Sequence, residues 1–346
     1  MSLPKYMNRI KAAVRRRSPR TGSTVRGVGI FISIGIAAVA VYALTHMLRH
    51  IDHDQVLQVI RHTNLGLIAL AAALVATSYG SVTLYDLLAL RTIGRTDIPY
   101  RIAALASFTS YPIAHGIGAV SLISPVIRYR IYSHNGLSAF DVANICFLTG
   151  LTFWLGNLTA LGIGLLIAPN AISVVDFLPP QVNRSLAGAL LLTVLGLLFW
   201  CWASPRNIGT KRWPVRLPSG PLMLLQIVIG LVDLGAAALA MYVLIPQGPN
   251  VGIFPVMAIF IAATLLGFAS HTPAGLGVFD AAFLIGLGNN EKEPLVAALL
   301  MFRLLYHFLP FVFALLLFGL VEAWRSLRGQ ERGVSLPFSQ QCGGID

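Results

Sequence analysis

Apolar positions in this chain neither alternate nor fall in amphipathic stripes. They run almost unbroken over 29–48, 65–90, 102–126, 139–168, 185–203, 221–245, 251–287 and 295–323. A helix needs about 20 apolar residues to cross the hydrocarbon core of a bilayer, so the pattern predicts about eight membrane-embedded helical segments. Two of them are interrupted. SFTSYPIAHGIGAVSLIS, 107–124, carries Pro112, His115, Gly116 and Gly118, and ASHTPAGLGVFDAAF, 269–283, carries His271, Pro273, Gly275, Gly277 and Asp280. Freed backbone groups at membrane depth are tolerated only where protein or a water-filled cavity satisfies them. Two broken helices lining a polar path are therefore expected, one hinged at Pro112, Gly116 and Gly118, the other at Pro273, Gly275 and Gly277.

Charge decides how the segments are threaded. If every segment crossed once, Arg128, Arg130, Arg206, Lys211, Arg212 and Arg216 would lie outside, a poor fit to the excess of Lys and Arg that cytoplasmic loops carry. If each interrupted segment enters and leaves on one face, only Arg49, Arg61, Arg184 and Lys292 lie outside, with Arg303 left in the membrane. This arrangement gives one re-entrant hairpin opening to the cytoplasm around Pro112 and one opening to the exterior around Pro273. Opposed hairpins are what an inverted repeat produces.

Composition agrees. With 346 residues, 56% hydrophobic and only 11% charged, and a mean hydropathy of +0.75, the fold class is all-α, a polytopic integral membrane protein. The net charge of +12 flanks apolar spans, where orientation and anionic lipid account for it better than nucleic acid. Residues 1–26 read as a basic cytoplasmic tail, 27–325 as the transmembrane domain and 326–346 as a short cytoplasmic tail, too short for an independent domain. Residues 51–64 suggest an interfacial helix, and 205–218 a basic, proline-bounded loop. Ala72, Ala76 and Gly80, four apart, read as a close-packing stripe. His46, His50, His53, Asp52 and Asp54 have a spacing that could hold a metal, but a polar interfacial loop accounts for them, and no metal or other cofactor is expected. Cys146 and Cys201 sit in apolar runs as small hydrophobes. No P-loop, G-x-S-x-G or H-E-x-x-H motif occurs.

The candidate chemistry lies in ionisable residues within the spans: Asp86, Asp233, Asp280 and Arg303, with His115, His271 and His307 nearby. Each charge costs about 2.5–3.5 kcal/mol at a helix centre on the insertion scale, so these groups either pair with one another or face water. Arg303 and His307, four apart in FRLLYHFLP before Pro310, share a helical face with a freed carbonyl nearby. An arginine fork suits a phosphodiester, and a histidine beside it either relays a proton or bonds a backbone carbonyl. Arg128 and Arg130, with Tyr129 and Tyr132, either hold a lipid phosphate or anchor the interface.

SYGSVTLYDLLALRTIGR at 78–95, SFTSYPIAHGIG followed by VIRYRIYS, ASHTPAGLGVFDAAF and FRLLYHFLP together resemble the flippase domain of the bacterial multiple peptide resistance factor, the lysylphosphatidylglycerol synthase/flippase family. The resemblance covers about 27–323 and implies translocation of an aminoacylated phospholipid, such as lysyl-phosphatidylglycerol, between leaflets of the bacterial inner membrane. It implies no enzyme activity in this chain, since the family's soluble synthase part has no counterpart here, although phosphatidylglycerol lysyltransferase is the family-level label. Carried over by position, it implies substrate-binding roles for Asp86, Arg128, Arg130, Asp280 and Arg303, with Asp280 where the family usually has glutamate; Asp233, His271 and His307 join them on the residue-level reading. The expected partner is membrane phospholipid, with a separate synthase and a homo-oligomer left open and both termini cytoplasmic. Two other readings stay open: a non-transporting scaffold for a separate synthase, and a carrier of a hopanoid or isoprenoid-type lipid.

Overall fold

The computed structural model describes residues 53–203, 207–210, 213–245, 252–288 and 292–333. The first apolar run, the basic N-terminal stretch and most of the His/Asp group at 46–54 lie outside the described residues. Helix α1 (His53–His62) leads into α2 (Leu65–Thr92), whose first turn is capped by the Asn64 side chain accepting from Gly66 N at 2.8 Å. Helices α3 (Tyr100–Ile117) and α4 (Val120–Tyr132) form a hairpin, followed by α5 (Ala139–Ile167), α6 (Pro169–Asp176) and α7 (Pro180–Ala203). A ribbon of β1 (Asn207–Thr210) and β2 (Trp213–Arg216) precedes α8 (Gly220–Leu244), α9 (Ile253–Ala269) and α10 (Val278–Gly286). The last element runs from α11 (Lys292–Phe302) through a π-helical turn (Arg303–Phe308) into α12 (Leu309–Gly333).

Among the described residues, five helices are long and apolar enough to cross a membrane: α2, α5, α7, α8 and the composite Lys292–Trp324. Their outward faces carry Leu and Phe, with Phe199 71% and Leu320 68% exposed. In water such a surface would drive aggregation; in hydrocarbon it is the solvated face. α5 and α8 cross so closely that a Cβ on Gly156 would lie 2.7 Å from Gly230 Cα, which glycine alone permits at both positions.

Both hairpins are present, and they enter from opposite faces. Just past α2, Arg95 forks onto Asp97 with both N–O distances 2.9 Å, and it reaches the Asn135 and Gly136 carbonyls at 3.1 and 3.5 Å. The loop before α3 and the loop after α4 therefore share one face. Arg130 pairs with Glu322 of α12 at 2.6 Å, which brings that helix's C-terminal half to the same face. Helix α8 is antiparallel to α2, since Ile229 packs on Tyr85 and Leu88 while Asp233 reaches back to Ser78. Its end at Leu244 thus lies on the opposite face, where α9 starts and to which α10 returns.

The hairpin tips meet inside the protein. Gly118 closes α3 with φ +80°, and a Cβ there would lie 2.9 Å from Pro273 N in the second hairpin's turn. Gly118→Ala is expected to cost about 1–2 kcal/mol for the left-handed backbone alone, and more for the clash. Gly80→Ala, where an added Cβ meets nothing within 4 Å, serves as the control. Thermal unfolding in detergent checks this, with a lower midpoint expected for the first variant only.

The first break falls at Gly118, not Pro112, because α3 continues through Pro112, which removes a single helical donor. Gly116 is helical as well; its role is space, since a Cβ there would lie 2.5 Å from the Phe311 ring. Ala72, Ala76 and Gly80 face outward, and the buried edge of α2 is Ala71, Val75, Ser78, Tyr79 and Val82 instead. The 205–218 loop contains the antiparallel ribbon, Asn207 pairing with Arg216 and Thr210 with Trp213. Helix α12 runs on through Gly333, into what hydropathy reads as a tail.

Candidate functional site

Each hairpin is tied to the helical bundle by a buried arginine–carboxylate pair. Arg128 of α4 holds Asp86 of α2 through Nε at 3.0 Å and Nη2 at 2.8 Å, Tyr132 donates to the same carboxylate at 2.8 Å, and Arg128 also contacts Ser124. Asp86 is fully buried, so this pair replaces its lost hydration. In the second hairpin Asp280 accepts from Gly277 N at 3.0 Å, capping α10, and receives Arg303 Nε at 2.8 Å and Nη2 at 2.6 Å. Arg303 Nη1 also reaches the Ala274 carbonyl at 3.4 Å, within the broken turn. In that turn His271, Ala274, Gly275 and Gly277 all have positive φ. Ala274 is a strained position that the arginine contact helps to hold.

Asp233 differs. It receives Ser78 Oγ at 2.5 Å and Tyr85 Oη at 2.8 Å, and it makes no ion pair among the described residues. It lines a cavity of about 280 Å³ where the hairpin tips meet the bundle. The walls are largely aromatic: Tyr111, Phe153, Phe260, Phe268, Phe279, Phe302 and Tyr306, with His115 4.2 Å from Tyr111 between ring centroids. Polar groups break this wall. Asn157 is buried and lines the cavity, its Nδ2 donating to the Phe153 carbonyl at 2.9 Å while its Oδ1 has no partner; His307 Nδ1 is likewise buried without one. No arginine or lysine is among the lining residues. The rim includes exposed Ser121 and His271, beside exposed apolar Ile117, Leu122 and Leu276.

Of the sequence-predicted residues, Asp233, His271 and His307 line this cavity, together with Gly118 and Gly275. Asp86, Arg128, Asp280 and Arg303 do not line it; their charges are spent on one another. Arg130 is exposed and bound to Glu322. Arg303 and His307 both lie in the π-helical turn, but only His307 lines the cavity, while Arg303 is held by Asp280. The carbonyl that Pro310 leaves without a helical donor, that of Tyr306, accepts the Tyr79 hydroxyl at 2.8 Å. Sequence reasoning did not identify Asn157 or the aromatic wall. Aromatic residues in apolar helices carry no periodic mark that separates a cavity wall from a core, and Asn157 is one of several polar residues in α5, beside Asn144 and three threonines.

The fold and this largely aromatic cavity with its few polar groups define a polytopic helical membrane protein with two opposed broken hairpins. The chain belongs to the family described as the lysylphosphatidylglycerol synthase TM region, whose sequence pattern matches residues 30–314. It is 30% identical to the inner membrane protein YbhN of Escherichia coli (strain K12) over 302 residues, 85% of this chain and 90% of that protein. An uncharacterized protein of Synechocystis is also 30% identical, over 256 residues, 73% of this chain and 78% of that one. Similarity to the phosphatidylglycerol lysyltransferase of Staphylococcus haemolyticus is local, 40% over 70 residues, which are 20% of this chain and 8% of that enzyme.

Proposed function

We propose that this chain moves a phospholipid between leaflets of the bacterial inner membrane, its headgroup crossing through the cavity while the tails stay in hydrocarbon. The observation that carries the reading is the cavity itself, placed where two broken hairpins from opposite faces touch. At about 280 Å³ it is near the small end of ligand sites, room for a headgroup and not for acyl chains. The exposed apolar residues beside its rim give the tails a place to remain.

A carboxylate with no ion-pair partner among the described residues, aromatic faces and the free Asn157 acceptor, with no cationic lining, favour a headgroup bearing an ammonium. Lysyl-phosphatidylglycerol, which also fits the family's description, is the best candidate. The two arginine pairs then act as fixed ties of the hairpins to the bundle, not as phosphate holders. Positive-inside reasoning puts the face bearing Arg95, Arg130 and Arg216 in the cytoplasm.

Thiol protection tests the site. In a chain freed of its native cysteines, Thr264→Cys places a thiol in the cavity wall. Lysyl-phosphatidylglycerol in nanodiscs is expected to slow its alkylation several-fold and plain phosphatidylglycerol to leave it unchanged. Equal alkylation with both lipids contradicts headgroup binding here.

A further inference from the structure

Asp233 stands at the start of a hydroxyl chain. Ser78 Oγ lies 2.5 Å from its Oδ1 and 3.2 Å from Tyr306 Oη, and the Tyr306 ring is 5.2 Å from that of His307, whose Nδ1 is unpartnered. The groups facing it come from every surrounding element. Helix α2 contributes Tyr79 and Tyr85, α3 contributes Tyr111 and His115, and the π-helical turn contributes Tyr306 and His307. The second hairpin places His271 on the rim. None of these supplies a fixed positive charge, in contrast to Asp86 and Asp280, each held by an arginine.

A buried carboxylate with two hydroxyl donors and no cation has two ways to be neutralised: a proton, or a cation brought by a ligand. The same carboxylate cannot hold both. We infer that Asp233 exchanges its proton for the ammonium of the transported headgroup, so that a cationic lipid and a proton move through this protein in opposite directions. The inference rests on the translocation reading above. The exchange balances: the protonated Asp233 carboxyl and a headgroup ammonium give the Asp233 carboxylate, ion-paired with that ammonium, and one free proton. The released proton leaves by the Ser78–Tyr306 hydroxyls, each of which both donates and accepts. In a membrane whose outer face is the more acid, this exchange drives the cationic lipid to the outer leaflet.

The test uses the full chain in phosphatidylcholine liposomes carrying a trace of fluorescent lysyl-phosphatidylglycerol, with leaflet position read by an external quencher. One-for-one exchange under a difference of one pH unit drives an outer-to-inner ratio of about tenfold toward the acid side, reversing when the gradient is reversed. Asp233→Glu is expected to keep the asymmetry and Asp233→Asn to abolish it. Adding lysyl-phosphatidylglycerol to the wild-type chain in weakly buffered detergent is expected to release one proton per lipid bound. That measurement decides the matter even where Asp233→Asn does not fold. Lipid that equilibrates equally whichever way the gradient points, or binding without proton release, overturns the exchange and leaves translocation standing. A chain that moves no lipid at all overturns the translocation reading and the exchange with it.

Discussion

Asp280→Asn and Arg303→Gln are each expected to destabilise the protein by about 3–5 kcal/mol, because either change leaves the other partner's charge buried without compensation. The pair is only 9% and 15% exposed at its side chains, so little solvent screening is available. Asp280→Asn also weakens the acceptor that caps α10 at Gly277, and Arg303→Gln removes the tie to the Ala274 carbonyl. The two variants should therefore look alike, with transport falling only as far as the amount of folded protein falls. Replacing both residues together, Asp280→Leu with Arg303→Met, is expected to recover part of the loss, since removing both charges removes the desolvation cost. Size-exclusion profiles and thermal unfolding in detergent provide the check. A specific loss of transport in well-folded Asp280→Asn would instead assign Asp280 to the lipid.

Asp233→Asn has the opposite signature. Its neighbours Ser78 and Tyr85 are hydroxyls, which can donate to or accept from an amide, so the fold loses little. The ammonium of a bound headgroup loses its counter-charge. Losing one partner of a buried charge pair costs about 2 kcal/mol or more, which slows movement of lysyl-phosphatidylglycerol by about 30-fold or more. The rate per folded molecule, measured in proteoliposomes, checks it. Asp86→Asn, compared in the same way, is expected to follow the pattern of Asp280→Asn.

Much of the architecture can be read from the chain because membrane insertion leaves few alternatives. Apolar runs near 20 residues have to be helices, and seven of the expected segments match described helices or hairpins. The threading was legible in the positions of Arg128, Arg130 and the Arg206–Arg216 stretch, and the Arg95 contacts with Asn135 and Gly136 bring the ends of the first hairpin together as that threading requires. Pairing was not legible. Asp86 meets Arg128 and Asp280 meets Arg303 across turns whose geometry depends on Gly118 and Gly277, and sequence spacing does not reveal which charges will meet. Asp233, which lines the cavity, and the two arginine–carboxylate pairs, which do not, carry no mark in the sequence that separates them. Pro112 does not break its helix, whereas Pro273 opens the short turn of the second hairpin. A helix tolerates one missing donor, whereas a left-handed residue such as Gly118 ends it.

Leaflet accessibility of a labelled lipid shows whether a headgroup crosses this protein. Purified full-length protein is reconstituted into liposomes with symmetrically distributed fluorescent lysyl-phosphatidylglycerol, and an impermeant reducing quencher is added outside. Without transport only the outer leaflet, about half of the label, is accessible. Quenching is expected to proceed well beyond that half with wild-type protein, and to pass it about 30-fold more slowly with Asp233→Asn of equal folded amount. Quenching that stops at half with folded wild-type protein, as in protein-free liposomes, contradicts translocation.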